Sequence, residues 1–385
     1  MRRAAVILPL LLIVWVSLGH WLLPGPIERR FNRIASANAP SVSLQVANRE
    51  LFIADLHADS LLWQRDLLVR STTGHVDVPR LVAGGAGLQV FSIVTKVPRR
   101  VNIQRNSGDS DLITALAILE AWPPDTWFSL RARALYQARR LNEMAERSRG
   151  ALTLIRTRSD LAKHLEARAA GSRQVAAILA LEGAHALEGK LQNLDSLFNA
   201  GVRMMAPTHF FDTDLAGSSS GLTQAGLTEK GREFIRRAEA RHVLIDLAHA
   251  SAATIREVTA MATRPVIVSH TGIKATCANN RNLSDDSVRA VAKTGGVIGI
   301  GFWGTAVCGN DASAIAGAIR RAVEIAGVEH VSLGSDFDGG TTTPFDASGL
   351  NVISDALRRE GFREAEIQKI MGGNALRVLR QTLPE

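Results

Sequence analysis

Eight short apolar runs alternate with longer amphipathic stretches between residues 50 and 339, and this alternation predicts an α/β protein folded as a (β/α)8 barrel. Continuous apolar runs suit strands covered on both faces, as in a parallel sheet. Six of the eight runs end in His, Asp or Glu, and the C-terminal strand ends of such a barrel converge on one face. No G-x-G-x-x-G or phosphate-loop motif supports the competing doubly wound open sheet.

The chain begins "MRRAAVILPLLLIVWVSLGHWLLPGPIERR", two arginines followed by a nearly uncharged run from Ala4 to Leu23. About 20 apolar residues in a helix span a bilayer core. Residues 1–24 are therefore expected to form an N-terminal transmembrane helix, an uncleaved single-pass anchor. A cleaved signal segment is the competing reading, but the small-x-small "ANA" at 37–39 lies well past the apolar run and precedes Pro40. The anchor places the protein at the inner membrane with the rest of the chain in the periplasm; cleavage would instead release it there. Residues 25–48 read as a linker of mixed polarity, and 49–385 as the barrel domain.

The eight runs are "ELFIADLH" (50–57), "GLQVFSIV" (87–94), "QVAAILALEG" (174–183), "VRMMAPTH" (202–209), "HVLIDLAH" (242–249), "PVIVSH" (265–270), "GGVIGIGFW" (295–303) and "HVSLGSDFDG" (330–339). Helical periodicity fills the gaps, as in "SAIAGAIRRAVEIAG" (313–327). The span 99–150 is a mostly helical insertion between the second and third strands.

Composition narrows the function. The 385 residues are 46% hydrophobic and 21% charged, which is globular rather than disordered. The net charge of +8 invites a nucleic-acid partner, but the arginines are scattered through helical stretches such as "SLRARALYQARRLNEMAERSR" (129–149). No compact basic run with aromatic partners occurs, so no nucleic acid is expected. Cys277 and Cys308 form no C-x-x-C pair, so no thiol-ligated zinc is indicated, and a bridge between them stays open.

The chemistry lies at the strand ends. His57 and Asp59 follow the first run, Glu182 the third, His209 the fourth, His249 the fifth and His270 the sixth; Asp336 and Asp338 follow the eighth. Such side chains are costly to bury unpaired, so packing explains the set poorly. Residues two apart in an extended chain point to the same side, so His57 and Asp59 can reach one metal ion. His249 and His270, from neighbouring strands, can hold another, and Glu182 has two oxygens with which to bridge them. Imidazole and carboxylate without thiolate suit two Zn2+ ions, with Mn2+ or Co2+ as substitutes. Two close ions can share a hydroxide and polarise a carbonyl, the equipment of a hydrolase.

The segments "DLHADSLLW" (55–63), "LEGAHALEG" (181–189), "APTHFFDTDLA" (206–216), "GLTEKGREFI" (226–235), "LIDLAHAS" (244–251), "PVIVSHTGIKATCANNRNLSDD" (265–286), "LGSDFDG" (333–339) and "GGNALRVL" (372–379) occur in that order. In these the chain resembles the membrane dipeptidase (renal dipeptidase) family of dinuclear zinc peptidases with a TIM-barrel fold, from about residue 50 to about 380. The resemblance implies that His57 and Asp59 ligate one zinc, His249 and His270 the other, and that Glu182 bridges. It makes His209 the histidine that polarises the substrate, Arg281 the holder of its C-terminal carboxylate and Asp336 the proton carrier. Dipeptides, L,L and also L,D, are the implied substrates, and a homodimer is left open.

Other polar residues receive structural readings. Asp55 is expected to satisfy local backbone groups, and His185, within the Glu182 motif, is a candidate to support it. Asp338 is expected to orient Arg281 or a ligand histidine. His75, His164, His242 and His330 are assigned to the surface or to strand starts, and Cys277 to packing. The one tyrosine, Tyr136, lies in the helical insertion, so Phe302 and Trp303 replace a tyrosine contact near the seventh strand. Two competing functions remain: a related binuclear lactonase or deaminase, against which the Arg281 motif speaks, and a non-catalytic tethered binding protein, against which the intact ligand set speaks.

Overall fold

A computed structural model describes residues 24–35 and 51–385. The eight expected strands are all present: β1 (Ile53–Ala58), β2 (Ala86–Val94), β3 (Val175–Glu182), β4 (Val202–Met205), β5 (Leu244–Ile245), β6 (Ile267–Thr271), β7 (Val297–Ile300) and β8 (Val331–Leu333). Each except β5 pairs in parallel with the next, and β8 returns to β1 through Leu333 and Asp55. The edges of the curled sheet meet where Asp246 bridges Ile267 and the Leu247 N–H donates to the Ile267 carbonyl at 2.7 Å. The architecture is that of a TIM-like barrel.

Strand composition explains the two apolar layers. Apolar side chains from seven strands, among them Ala54, Val90, Ile178, Met204 and Val297, gather with Leu376 and Leu379 of the C-terminal helix Asn374–Thr382. The opposite strand faces pack on the surrounding helices in one larger cluster. Helices open on side-chain caps that take up free N–H groups: Thr157, Thr228, Ser251, Ser284 and Asp311 each accept from the residue three positions on. The insertion after β2 carries helices Ile113–Leu119 and Leu130–Arg147, as its periodicity predicts.

The expected linker is corrected in part. Pro24–Phe31 is a helix, and Arg33–Ile34 pairs in parallel with Thr342–Thr343 beyond β8. Glu28 makes a 2.6 Å ion pair with Arg65, so this segment is fastened to the barrel rather than strung beside it. A short strand, Leu152–Leu154, also flanks β3 unforeseen. No helix among the described residues is long and apolar enough to cross a membrane, and the expected anchor, apart from Pro24, lies outside them.

Candidate active site

The strand ends bring the predicted residues together. The register between β1 and β2 shifts between Asp55 and Ala58, an irregularity of the kind that re-aims side chains near active sites. It separates two residues that strict alternation would place side by side. Asp55 turns to Gln89 and Ser335, accepting from the Ser335 N–H and Oγ at 2.7 Å, whereas His57 turns to Asp59 and Glu182. Asp55 is thus structural, but it is held by Gln89 and the distant Ser335 rather than by the local backbone groups expected.

Glu182 lies at the centre. Its Oε2 is 3.6 Å from His57 Nε2, and its Oε1 is 3.0 Å from His249 Nε2 and 3.3 Å from His270 Nε2. His209 Nε2 is 3.6 Å from Oε1. On the other flank, His57 Nε2 stands 3.2 Å from Asp59 and 3.9 Å from Asp336. Three overlapping triads could each hold an ion: His57 with Glu182 and His270, Glu182 with His209 and His249, and His57 with Asp59 and Asp336.

The electrostatics fit a cation. Burial holds His209, His249 and His270 well below the ordinary histidine range, so their rings are neutral. The His249 and His270 Nε2 atoms are 3.1 Å apart and both face Glu182, a convergence of donors suited to ligating one ion. Burial, with Asp59 nearby, raises Glu182 to about 6, and burial lifts Asp336 well above the carboxylate range. Burial would lower His57, but Glu182 and Asp59 overcome it and raise this imidazole well above its usual value.

The surrounding loops fix these groups. His249 and Asp336 adopt left-handed backbone conformations, φ 61° and 59°, which are uncommon for non-glycine residues. Gly339 has no Cβ to collide with the Asp336 and Asp59 carboxylates, so the loop after β8 can close on them. Arg281 is buried, donates to the His270 carbonyl at 2.8 Å and lies 5.7 Å from the Trp303 ring centroid. Its loop is tied by Asn282 to the Cys277, Thr305 and Ala306 carbonyls and by a disulfide between Cys277 and Cys308. Cys277 is thus bonded rather than merely packed.

Several expectations need correction. Asp338 contacts neither Arg281 nor a candidate ligand histidine; it accepts from Ser60 Oγ and Arg65 Nη2, each at 2.6 Å, and from the His75 N–H at 2.5 Å. His75 and His164 are buried, not superficial, because His75 joins the Asp338 network and His164 meets the Gly87 carbonyl. His185 faces Thr95 Oγ1 at 3.1 Å rather than a candidate ligand. Trp303 reaches the site cavity, whereas Phe302 is buried against Phe337 and Phe345. Sequence reasoning missed Ile27 and Phe31, which line that cavity with insertion residues. Amphipathic spacing marked neither as a site residue.

Fold and site together define a barrel hydrolase with a buried cluster able to hold metal. Residues 43–383 match the family described as membrane dipeptidase (peptidase family M19), and the chain belongs to that family of peptide hydrolases. It is similar to an uncharacterized protein in the pqqA 5' region of Klebsiella pneumoniae, 30% identical over 62% of this chain and 92% of that one. It is 30% identical to dipeptidase 3 of Macaca fascicularis over 54% of this chain, but spans only 46% of that protein. Among solved structures, a metallopeptidase from Rhodobacter sphaeroides, liganded with a phosphinate mimic of L-Ala-D-Ala, is 25% identical with a TM-score of 0.72, covering 86% of this chain and 99% of its own. The probable dipeptidase PvdM from Pseudomonas aeruginosa shares the fold at 18% identity and a TM-score of 0.74, covering 89% and 98%.

Proposed function

We propose that the protein is a dipeptidase that holds two Zn2+ ions and hydrolyses L,L- and L,D-dipeptides. The carrying observation is the placement of Glu182, one oxygen toward His57 and the other toward His249 and His270. His57 and Asp59 would hold one ion, His249 and His270 the other, and Glu182 would touch both. When bound, the ions would lower the pKa of a water and polarise the scissile carbonyl.

The chain's own groups complete the reaction. Arg281 pairs in bidentate fashion with the substrate's terminal carboxylate. Neutral His209 donates a hydrogen bond to the oxygen that gains charge as the carbonyl is attacked. Asp336, its carboxyl disposed to carry a proton, takes one from the attacking water and delivers it to the leaving amine. The L-Ala-D-Ala mimic in the Rhodobacter relative supports a D-residue at the carboxyl position.

The N-terminal apolar run supports a single-pass inner-membrane anchor with the barrel in the periplasm, or secretion there after cleavage. The Cys277–Cys308 disulfide fits an oxidising compartment. A homodimer is compatible with this arrangement. The test is amino-acid release from L-Ala-L-Ala and L-Ala-D-Ala by the full chain, loaded with zinc and compared with a chelated sample. Release that disappears on chelation is expected; no release from folded, zinc-loaded protein would overturn the reading.

A further inference from the structure

We propose that the cavity beside the donor cluster is a subsite for a large apolar side chain on the amino-terminal residue of the substrate. The preferred substrates are then dipeptides such as Phe-Ala or Leu-Ala rather than Ala-Ala. This inference rests on the dipeptidase reading and adds the substrate class to it.

Size is the first argument. The cavity has a volume of about 780 Å³ and contains Glu182, His209, His249, Arg281 and Asp336 at its polar end. Volumes of this order enclose ligands far larger than two alanines. The second argument is the wall. Ile27, Phe31, Trp63, Val97, Leu112 and Leu116 line the remaining cavity, contributed by three separate parts of the chain. Several belong to one apolar cluster, in which Ile27, Val97 and Leu116 pack against a buried group that includes Trp63 and Ile113. Apolar side chains also stand at the rim: Phe31 is 43% exposed and Val101 45%. Covering such surface with a ligand's apolar group is favourable at about 25 cal/mol per Å².

Orientation decides which residue of the substrate meets this wall. Arg281 follows β6, whereas Val97, Leu112 and Leu116 follow β2. In an eight-strand ring these positions face each other across the barrel, with Glu182 and the histidines between them. A carboxylate held by Arg281 thus leaves the amino-terminal residue on the β2 side. The N-terminal segment is fastened beside the β1 and β8 loops by the Glu28–Arg65 ion pair and the pairing of Arg33 with Thr342, and its Ile27 packs on the cluster that holds Val94 and Ile113 of the β2 side. Phe31 consequently lies with its ring centroid 6.3 Å from that of Trp63.

The experiment compares kcat/KM of the full, zinc-loaded chain for Phe-Ala, Ala-Ala and Ala-Phe, then repeats it with Phe31→Ser and Leu116→Asn. The expected result is a preference for Phe-Ala over Ala-Ala of at least about tenfold, no such preference for Ala-Phe, and a drop in the Phe-Ala to Ala-Ala ratio in both variants. Equal turnover of Phe-Ala and Ala-Ala, a preference for Ala-Phe, or an unchanged ratio in both variants would overturn the inference and leave the dipeptidase reading standing. Hydrolysis of none of the three would overturn both.

Discussion

Asp336 and Asp338 lie two residues apart after the same strand, both in left-handed backbone conformations, yet their surroundings are opposite. Asp338 has no exposed side-chain surface, and its carboxylate is filled by the chain itself. Ser60, Arg65 and the backbone N–H groups of His75 and Val76 donate to it, and Arg65 passes on to Glu28. Burial would raise its pKa, but Arg65, His75 and these donors outweigh burial and hold it low. Asp336 keeps 13% of its side chain exposed to the cavity and faces Asp59 and Glu182, which with burial drive it upward. A buried charge that serves the fold is paired within the chain. A cluster of carboxylates and neutral imidazoles facing one another is stable only when something else supplies the positive charge, which marks it as a site.

The contrast can be broken at either end. The largest effect is expected from Glu182→Gln, which removes the central carboxylate and should lower kcat/KM by on the order of 10³-fold or more. Thermal unfolding of the chelated variant should show little or no loss, because one of several crowded carboxylates is gone. A large fall in Tm instead would place Glu182 with the structural charges. His209→Ala should reduce kcat by about 10²–10³-fold with a small change in KM, read from steady-state kinetics on one dipeptide.

Asp338→Asn should do the reverse. Breaking a buried pair leaves Arg65 uncompensated, at a cost of about 3–5 kcal/mol by denaturant unfolding. Turnover per folded, zinc-loaded molecule should fall far less than for Glu182→Gln; equal losses would erase the distinction. The pH dependence sharpens the point. A carboxylate whose folded pKa is depressed contributes stability above its unfolded value, near 4, that is lost as pH falls through the folded value. Wild-type unfolding free energy should therefore drop below about pH 4, and the drop should be shallower in Asp338→Asn. Chelation should lower wild-type stability by about 3–4 kcal/mol if free zinc stands at 100 to 1,000 times its dissociation constant. No change in Tm on adding zinc would argue against an ion at Glu182.

Local pattern carried much of this protein. Runs of β-branched and small apolar residues marked all eight barrel strands, because parallel strands buried on both faces need continuous apolar sequence. His57, Asp59, Glu182, His209, His249, His270 and Asp336 were legible because charge at a strand end is locally conspicuous, and Arg281 through its motif. The barrel order follows from alternation and from the near-universal right hand of parallel crossovers.

Other features depended on partners distant in sequence. Asp338 and Asp336 have the same local signature, and donors more than 260 residues away, Arg65 among them at 273, make one of them structural. The turn of Asp55 away from His57 depends on a register shift against β2 and on Ser335, 280 residues on. The apparent linker became part of the cavity wall because Glu28 found Arg65 and Arg33 found Thr342. Sequence thus determined the strands, the donor types and their side of the barrel, since each is set by neighbours within a few positions. Tertiary structure decided which buried charges are neutralised by the chain and which face the cavity, because Coulomb and desolvation energies depend on distance in space.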